Sequence, residues 1–141
     1  MRLTTRGRYA LRASVALALA SQDGKPVSIN NIAEKEEISS VFLEQIFFKL
    51  RKAGIVNSVR GPGGGFCFAQ PLNDISISKI LEAAGESIAL TPCLEDHITC
   101  TRHEICLASP IWTDLGGMVN NYFDNITIAS IVEKSKTDSK E

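Results

Sequence analysis

The chain has 141 residues, a formal net charge of −1, 44% apolar residues and 22% charged residues, which fits one domain or a small domain carrying an arm. A chain this apolar buries enough surface to offset the entropy of folding, which excludes disorder along its whole length. The longest apolar stretch, residues 13–20, is interrupted by Ser14 and falls short of the roughly 18 residues that a bilayer span needs. The opening Met1-Arg2-Leu3-Thr4-Thr5-Arg6 has no signal-peptide core, so a soluble cytoplasmic protein with no membrane partner is expected.

The near-zero charge averages two unlike parts. Residues 1–62 carry ten Lys/Arg against five Asp/Glu, a net +5, while residues 63–141 carry five against eleven, a net −6. A nucleic-acid-binding head on an acidic regulatory or partner-binding remainder would produce this split, and so would a chance dipole.

In chain order, Tyr9, Ala13, Ala16, Leu17 and Ala20 recur at helical steps and predict a helix over residues 6–20. Asp23-Gly24-Lys25-Pro26 breaks it. Ser28 can cap a short helix with Ile29, Ile32 and Ala33 inside, ending near Glu37. Ser39 or Ser40 can cap the next helix, whose stripe is Phe42, Leu43, Ile46, Phe47 and Leu50, with Gly54 as its left-handed terminator. Two short helices across a tight turn suit a helix-turn-helix, and equally an ordinary helical hairpin. Its second helix would expose Ser40, Glu44, Gln45, Lys49, Arg51 and Lys52.

Strands are expected over residues 55–59 and 66–69, joined by Arg60-Gly61-Pro62-Gly63-Gly64-Gly65. A helix-turn-helix followed by a hairpin is a winged helix. Glycines let the tip approach phosphates, and Arg60 suits a narrow minor groove. A phosphate-cradling nucleotide loop would need Gly-Lys-Ser/Thr before a helix, and here the glycines lead into a strand. Cys67, between Phe66 and Phe68, reads as a small packing residue rather than a ligand.

Ser76 can cap a helix using Ile77, Ile80, Leu81 and Ala84. Residues 85–105 lack periodicity. Ser109 as N-cap before Pro110 then predicts a helix of about four turns, lined by Ile111, Leu115, Met118, Val119, Tyr122 and Phe123, with Trp112 beside the stripe. Thr127 can cap a last short helix through Val132, and Glu133 onward reads as a frayed polar tail. The long helix needs something to cover its apolar face, either a second copy in a symmetric dimer or the chain's own first helix.

The clustered cysteines run Cys93-x6-Cys100-x5-Cys106, with Asp96, His97, His103 and Glu104 between them. Structural zinc sites usually contain a close pair of ligands in a tight knuckle, and no Cys-x-x-Cys exists here. Irregular spacing suits a loop over an iron–sulfur cluster. Zinc, a thiol redox relay and no metal role remain alternatives. An enzyme is disfavoured because no nucleophile–base–acid set presents itself.

Met1-Arg-Leu-Thr-Thr-Arg-Gly-Arg-Tyr-Ala10, Leu43-Glu-Gln-Ile-Phe47, Leu50-Arg-Lys-Ala-Gly54, Ser58-Val-Arg-Gly-Pro-Gly-Gly-Gly65, the three cysteines and Asp124-Asn-Ile-Thr127 resemble the IscR-type iron–sulfur cluster regulators. These belong to the Rrf-two family of bacterial winged-helix transcription factors, and the resemblance spans nearly the whole chain. It implies a mainly α fold with a small β wing. The winged helix-turn-helix would cover residues 1–84, a cluster loop 85–107, a dimerisation helix and short terminal helix 108–134, and a flexible tail 135–141. It implies a regulator of cluster-biogenesis or related genes that binds double-stranded operator DNA as a homodimer through the C-terminal helix. Nitric oxide, iron or thiol redox state is the alternative signal.

DNA contact is implied for Tyr9, Ser40, Glu44, Gln45, Arg60, Gly61, Pro62, Gly63 and Gly64, and a cluster, [2Fe–2S] rather than [4Fe–4S], on Cys93, Cys100 and Cys106. The chain departs from the family twice. The family's cysteines are spaced five and five, against six and five here. The fourth-ligand His, three residues beyond the last cysteine, is replaced by Ser109. Relatives with [4Fe–4S] use a partner-chain acid near position 8, which here is Arg8. His103 is the leading candidate for the fourth ligand, ahead of His97, Glu104 and Asp96.

Overall fold

The computed structural model of the chain describes residues 2–95 and 100–140. The architecture is mainly helical with one small two-stranded antiparallel sheet. Helix α1 (Thr5–Ala20) starts where Thr4 Oγ1 accepts from the Gly7 N–H at 3.2 Å. It buries Ala10, Ala13, Ala16 and Leu17, and these mostly small side chains let neighbouring helices approach closely.

Helix α2 (Ile29–Glu36) is capped by Ser28 and ends at Glu37, whose φ of 55° is left-handed. Helix α3 (Ser40–Lys52) follows, and Ser39 is the serine that caps it, accepting from the Phe42 N–H at 3.5 Å. Leu43, Ile46, Phe47 and Leu50 are fully buried, and Gly54 terminates the helix at φ 77° as its position predicts.

Strand β1 (Val56–Val59) pairs with β2 (Gly65–Phe68), Val56 opposite Phe68 and Val59 opposite Gly65. Val27 flanks β2 on its other side, exchanging two backbone hydrogen bonds of 2.9 and 2.8 Å with Phe66. A Cβ at residue 65 would collide with the Val27 carbonyl, so that glycine admits the third chain segment. The Phe66 ring meets Phe47 at 4.9 Å between centroids, fixing the wing to α3.

Helix α4 (Ile77–Ala83) is capped by Ser76. After it come α5 (Ser109–Asp124) and α6 (Ile128–Asp138), the latter capped by Thr127 in a reciprocal box with Ser130. The first turns of α4 and α6 are stitched together, Ile77 N–H donating to Ile126 C=O and Ile128 N–H to Ile75 C=O, both at 2.9 Å. α6 differs from expectation. It runs on to Asp138 instead of stopping at Val132, because Ile128 and Val132 are buried against α1 and anchor a segment of helix-compatible polar residues. It therefore completes the core of the head.

Helix α5 corrects a second expectation. Ser109 is its first helical residue and not its cap, since Ala108 already has right-handed helical geometry. The preceding turn feeds the helix through the backbone: Ser109 N–H donates to Cys106 C=O at 3.3 Å, and Ile111 N–H to Ala108 C=O at 3.1 Å. No side-chain cap is needed there. α5 packs chiefly on α4 and not on α1, and leaves Ile111, Leu115, Met118 (70% exposed) and Tyr122 (64%) uncovered.

Candidate nucleic-acid interface and cysteine segment

Burial of Leu43, Ile46, Phe47 and Leu50 dictates which side of α3 faces outward. Glu44, Gln45, Arg51 and Lys52 are exposed there, while Ser40 and Lys49 are half-buried. The ion pairs among the described residues are Arg12–Glu36 at 3.1 Å and Lys25–Asp23 at 4.0 Å, so Glu44 pairs with neither Arg51 nor Lys52. Arg51 Nη1 instead donates to Ser58 Oγ at 3.3 Å, joining α3 to the wing.

Tyr9 lies at the start of this face. Its ring meets Phe42 edge-on at 5.8 Å, and the Arg12 guanidinium stands 5.2 Å from its centroid. Arg12 also donates to the Glu36 carbonyl at 2.6 Å, so one cation locks Tyr9 and the end of α2 together. At the wing tip Arg60, Gly61, Pro62 and Gly63 are exposed and Gly64 is half-buried. Gly64 N–H donates to Gly61 C=O at 2.9 Å, and Gly61 and Gly63 have φ of 94° and 73°, conformations that need glycine.

Two residues of the outward face were not among the expected contacts. Val41 is 63% exposed and Phe48 is 55% exposed. Helical phase could have found both, because each lies opposite the Leu43–Leu50 stripe.

All three cysteines of the irregular segment are free and half-buried. Cys93 lies in the short 3-10 turn Pro92–Leu94, with Thr91 Oγ1 at 2.9 Å from its Sγ. Cys100 and Cys106 bracket a run of turns that contains exposed His103 and Glu104 and leads into α5. Asp96 and His97 lie outside the described residues. Among the described residues, no three His, Cys, Asp or Glu side chains gather into a group that could hold a metal ion. Arg8 is exposed and donates to Thr5 Oγ1 at 3.2 Å. Cys67 is half-buried beside a cavity of about 410 Å³ between α1, β2 and α6, away from the other three.

Described residues of the segment meet both α5 and α1. Leu90 and Leu94 lie over Gly116, where a Cβ would come within 3.9 and 3.6 Å of their Cδ1 atoms. At the other end, Glu86 accepts from Thr4 N–H at 2.8 Å and from Thr4 Oγ1 at 2.6 Å, holding its carboxylate at the α1 N-terminus. The carboxylate fills the space that a side chain at Gly7 would occupy.

This fold, with its outward recognition helix and glycine-tipped wing, defines a winged-helix DNA-binding regulator. Residues 3–134 match the family model "Rrf2: Iron-dependent Transcriptional regulator". The chain is 42% identical to the HTH-type transcriptional regulator IscR of Photobacterium profundum over 132 residues, covering 94% of this chain and 76% of that protein. It is 40% identical to IscR of Pectobacterium atrosepticum over 136 residues, covering 96% and 82%. Among solved structures it resembles T. potens IscR, with TM-score 0.76, 29% identity and coverage of 96% and 88%. It also resembles CymR, the global cysteine regulator of B. subtilis, with TM-score 0.77, 27% identity and coverage of 95% and 98%. The chain belongs to the Rrf2 family of transcriptional regulators, and its relatives are regulators, not enzymes.

Proposed function

We propose that the chain is an IscR-type regulator that binds operator DNA as a homodimer and responds to iron–sulfur cluster status. The carrying observation is the set of three free, half-buried thiols on the one irregular segment that joins the winged head to α5. Their donor chemistry fits a cluster, since soft thiolates are its usual ligands. Cys93, Cys100 and Cys106 would hold it, with His103, between the last two, as the fourth donor and [2Fe–2S] as the form. When bound, such a cluster supplies an iron- and redox-sensitive link among the three thiolates.

The chain's own residues do the rest. Holding one group among Cys93, Cys100 and Cys106 would draw these three thiols together, and Leu90 and Leu94 would pass that change to α5 through their seat on Gly116. α5 presents its apolar stripe to a second copy, so the spacing of the two heads follows the state of the loop. Each head offers α3 to a major groove and Arg60 with the glycine tip to the adjoining minor groove. Tyr9, Ser40, Glu44, Gln45, Arg60, Gly61, Pro62, Gly63 and Gly64 are the proposed contacts.

The test is purification of the full chain without oxygen, followed by visible absorbance and iron and sulfide analysis. Replacing Cys93, Cys100 and Cys106 together by Ala should abolish the absorbance, and its survival would sink the cluster assignment. Loaded and cluster-free protein should prefer different operators, and identical binding to all of them removes the switch. The three free, half-buried thiols on one segment also support a second reading, in which two of them close a disulfide on oxidation. That reading predicts no iron or sulfide, and a reversible loss of two mass units on oxidation.

A further inference from the structure

The centre of the outward face of α3 is apolar, which an ordinary solvated or phosphate-binding face would not be. By helical phase at about 100° per residue, Val41 points directly away from buried Leu50, and Phe48 and Lys52 fall within about 20° of Val41. Glu44 and Gln45 flank this line, and both are exposed. Val41 is the second residue of α3, counted from Ser40. The first turn of a recognition helix is the part that reaches base edges. Phe48 stands seven residues further on, about 10 Å along the axis, with the Arg51 guanidinium 5.8 Å from its ring centroid. Arg51 is itself bonded to Ser58 of the wing, so Phe48 belongs to the junction between helix and wing.

An exposed isopropyl group among hydrogen-bonding neighbours cannot read donors or acceptors. The major groove offers one apolar feature, the C5-methyl of thymine, and small apolar side chains recognise it by contact. We propose that Val41 is a specificity-determining residue that reads a thymine methyl in each half-site. The proposal rests on the reading of α3 as the DNA-facing helix. Glu44 and Gln45, one turn further along, then read neighbouring bases by hydrogen bonding. Recognition by this helix is divided between an apolar reader at its start and polar readers behind it.

The experiment uses the full chain and a duplex recovered by selection from random-sequence DNA. Each thymidine of that duplex is replaced in turn by deoxyuridine, which removes only the methyl group, and binding is followed by fluorescence anisotropy. The wild type should lose about fourfold in affinity at one symmetry-related position per half-site, the equivalent of about one buried methyl-sized group. Val41→Ala should bind the parent duplex more weakly and lose the penalty at that position. Phe48→Ala should keep it. Wild-type indifference to uracil at every position overturns the proposal, and so does a Val41→Ala variant that retains the penalty. A selection that enriches no sequence overturns the DNA reading of α3 itself. Because Val41 is exposed, Val41→Ala should match the wild type in thermal melting, which separates lost recognition from lost fold.

Discussion

Glu44 has no ion-pair partner among the described residues and stands on the outward side of α3. A carboxylate there is repelled by phosphates, so its presence makes sense where it accepts a hydrogen bond from a cytosine amino group and rejects sites that lack one. Glu44→Ala should relax sequence choice by about 1 kcal/mol at one base pair, with little loss of overall affinity, as read by competition binding across operator variants. Selectivity equal to the wild type would remove that role. Glu44 and Gln45 were legible in the sequence because polar residues between buried ones declare their direction. Val41 and Phe48 were not, because an apolar side chain invites an inward assignment until phase is worked out residue by residue. The Arg51–Ser58 bond was hidden too, as it joins different elements and leaves no periodic trace.

The element scale was the most legible. Ser28, Ser76 and Thr127 cap the helices they precede, and Gly54 ends α3 in the left-handed conformation expected of it. The failures lie at helix ends where tertiary packing overrides local signal. Buried Ile128 and Val132 prolong α6, and the turn before α5 replaces the Ser109 cap. One junction between elements carries its own prediction. Glu86, just beyond α4, occupies the space above Gly7 in α1 while bonding Thr4. Gly7→Ala must displace that carboxylate, at a net cost of about 1 kcal/mol once the gain in helix propensity is counted. In a Glu86→Ala background the same change should stabilise by about 0.5–1 kcal/mol, because only the propensity gain remains. Urea unfolding of the four proteins measures the difference, and additive effects would refute the junction.

At the scale of the molecule, the charge changes sign across the chain: residues 1–84, which hold the winged head up to α4, sum to +4, while residues 85–141, which hold the cysteine segment, α5 and α6, sum to −5. The three spaced cysteines were visible in the sequence, but a fourth donor for the proposed cluster was not, since Ser109 is buried in the first turn of α5 and Arg8 is an exposed cation. The bare stripe of α5 leads to a test of assembly. Leu115→Glu with Met118→Glu should leave the head folded and shift the sedimentation of the chain to that of a monomer, while unchanged sedimentation would remove α5 from the interface. A dimer held this way makes operator occupancy a question of dosage. Below its dissociation midpoint, the concentration of two-headed molecules rises as the square of the amount of chain, so doubling the protein raises occupancy of a weak operator about fourfold. On the proposed dimer, the uncovered face of α5 would therefore make the response steeper than proportional to the amount of chain.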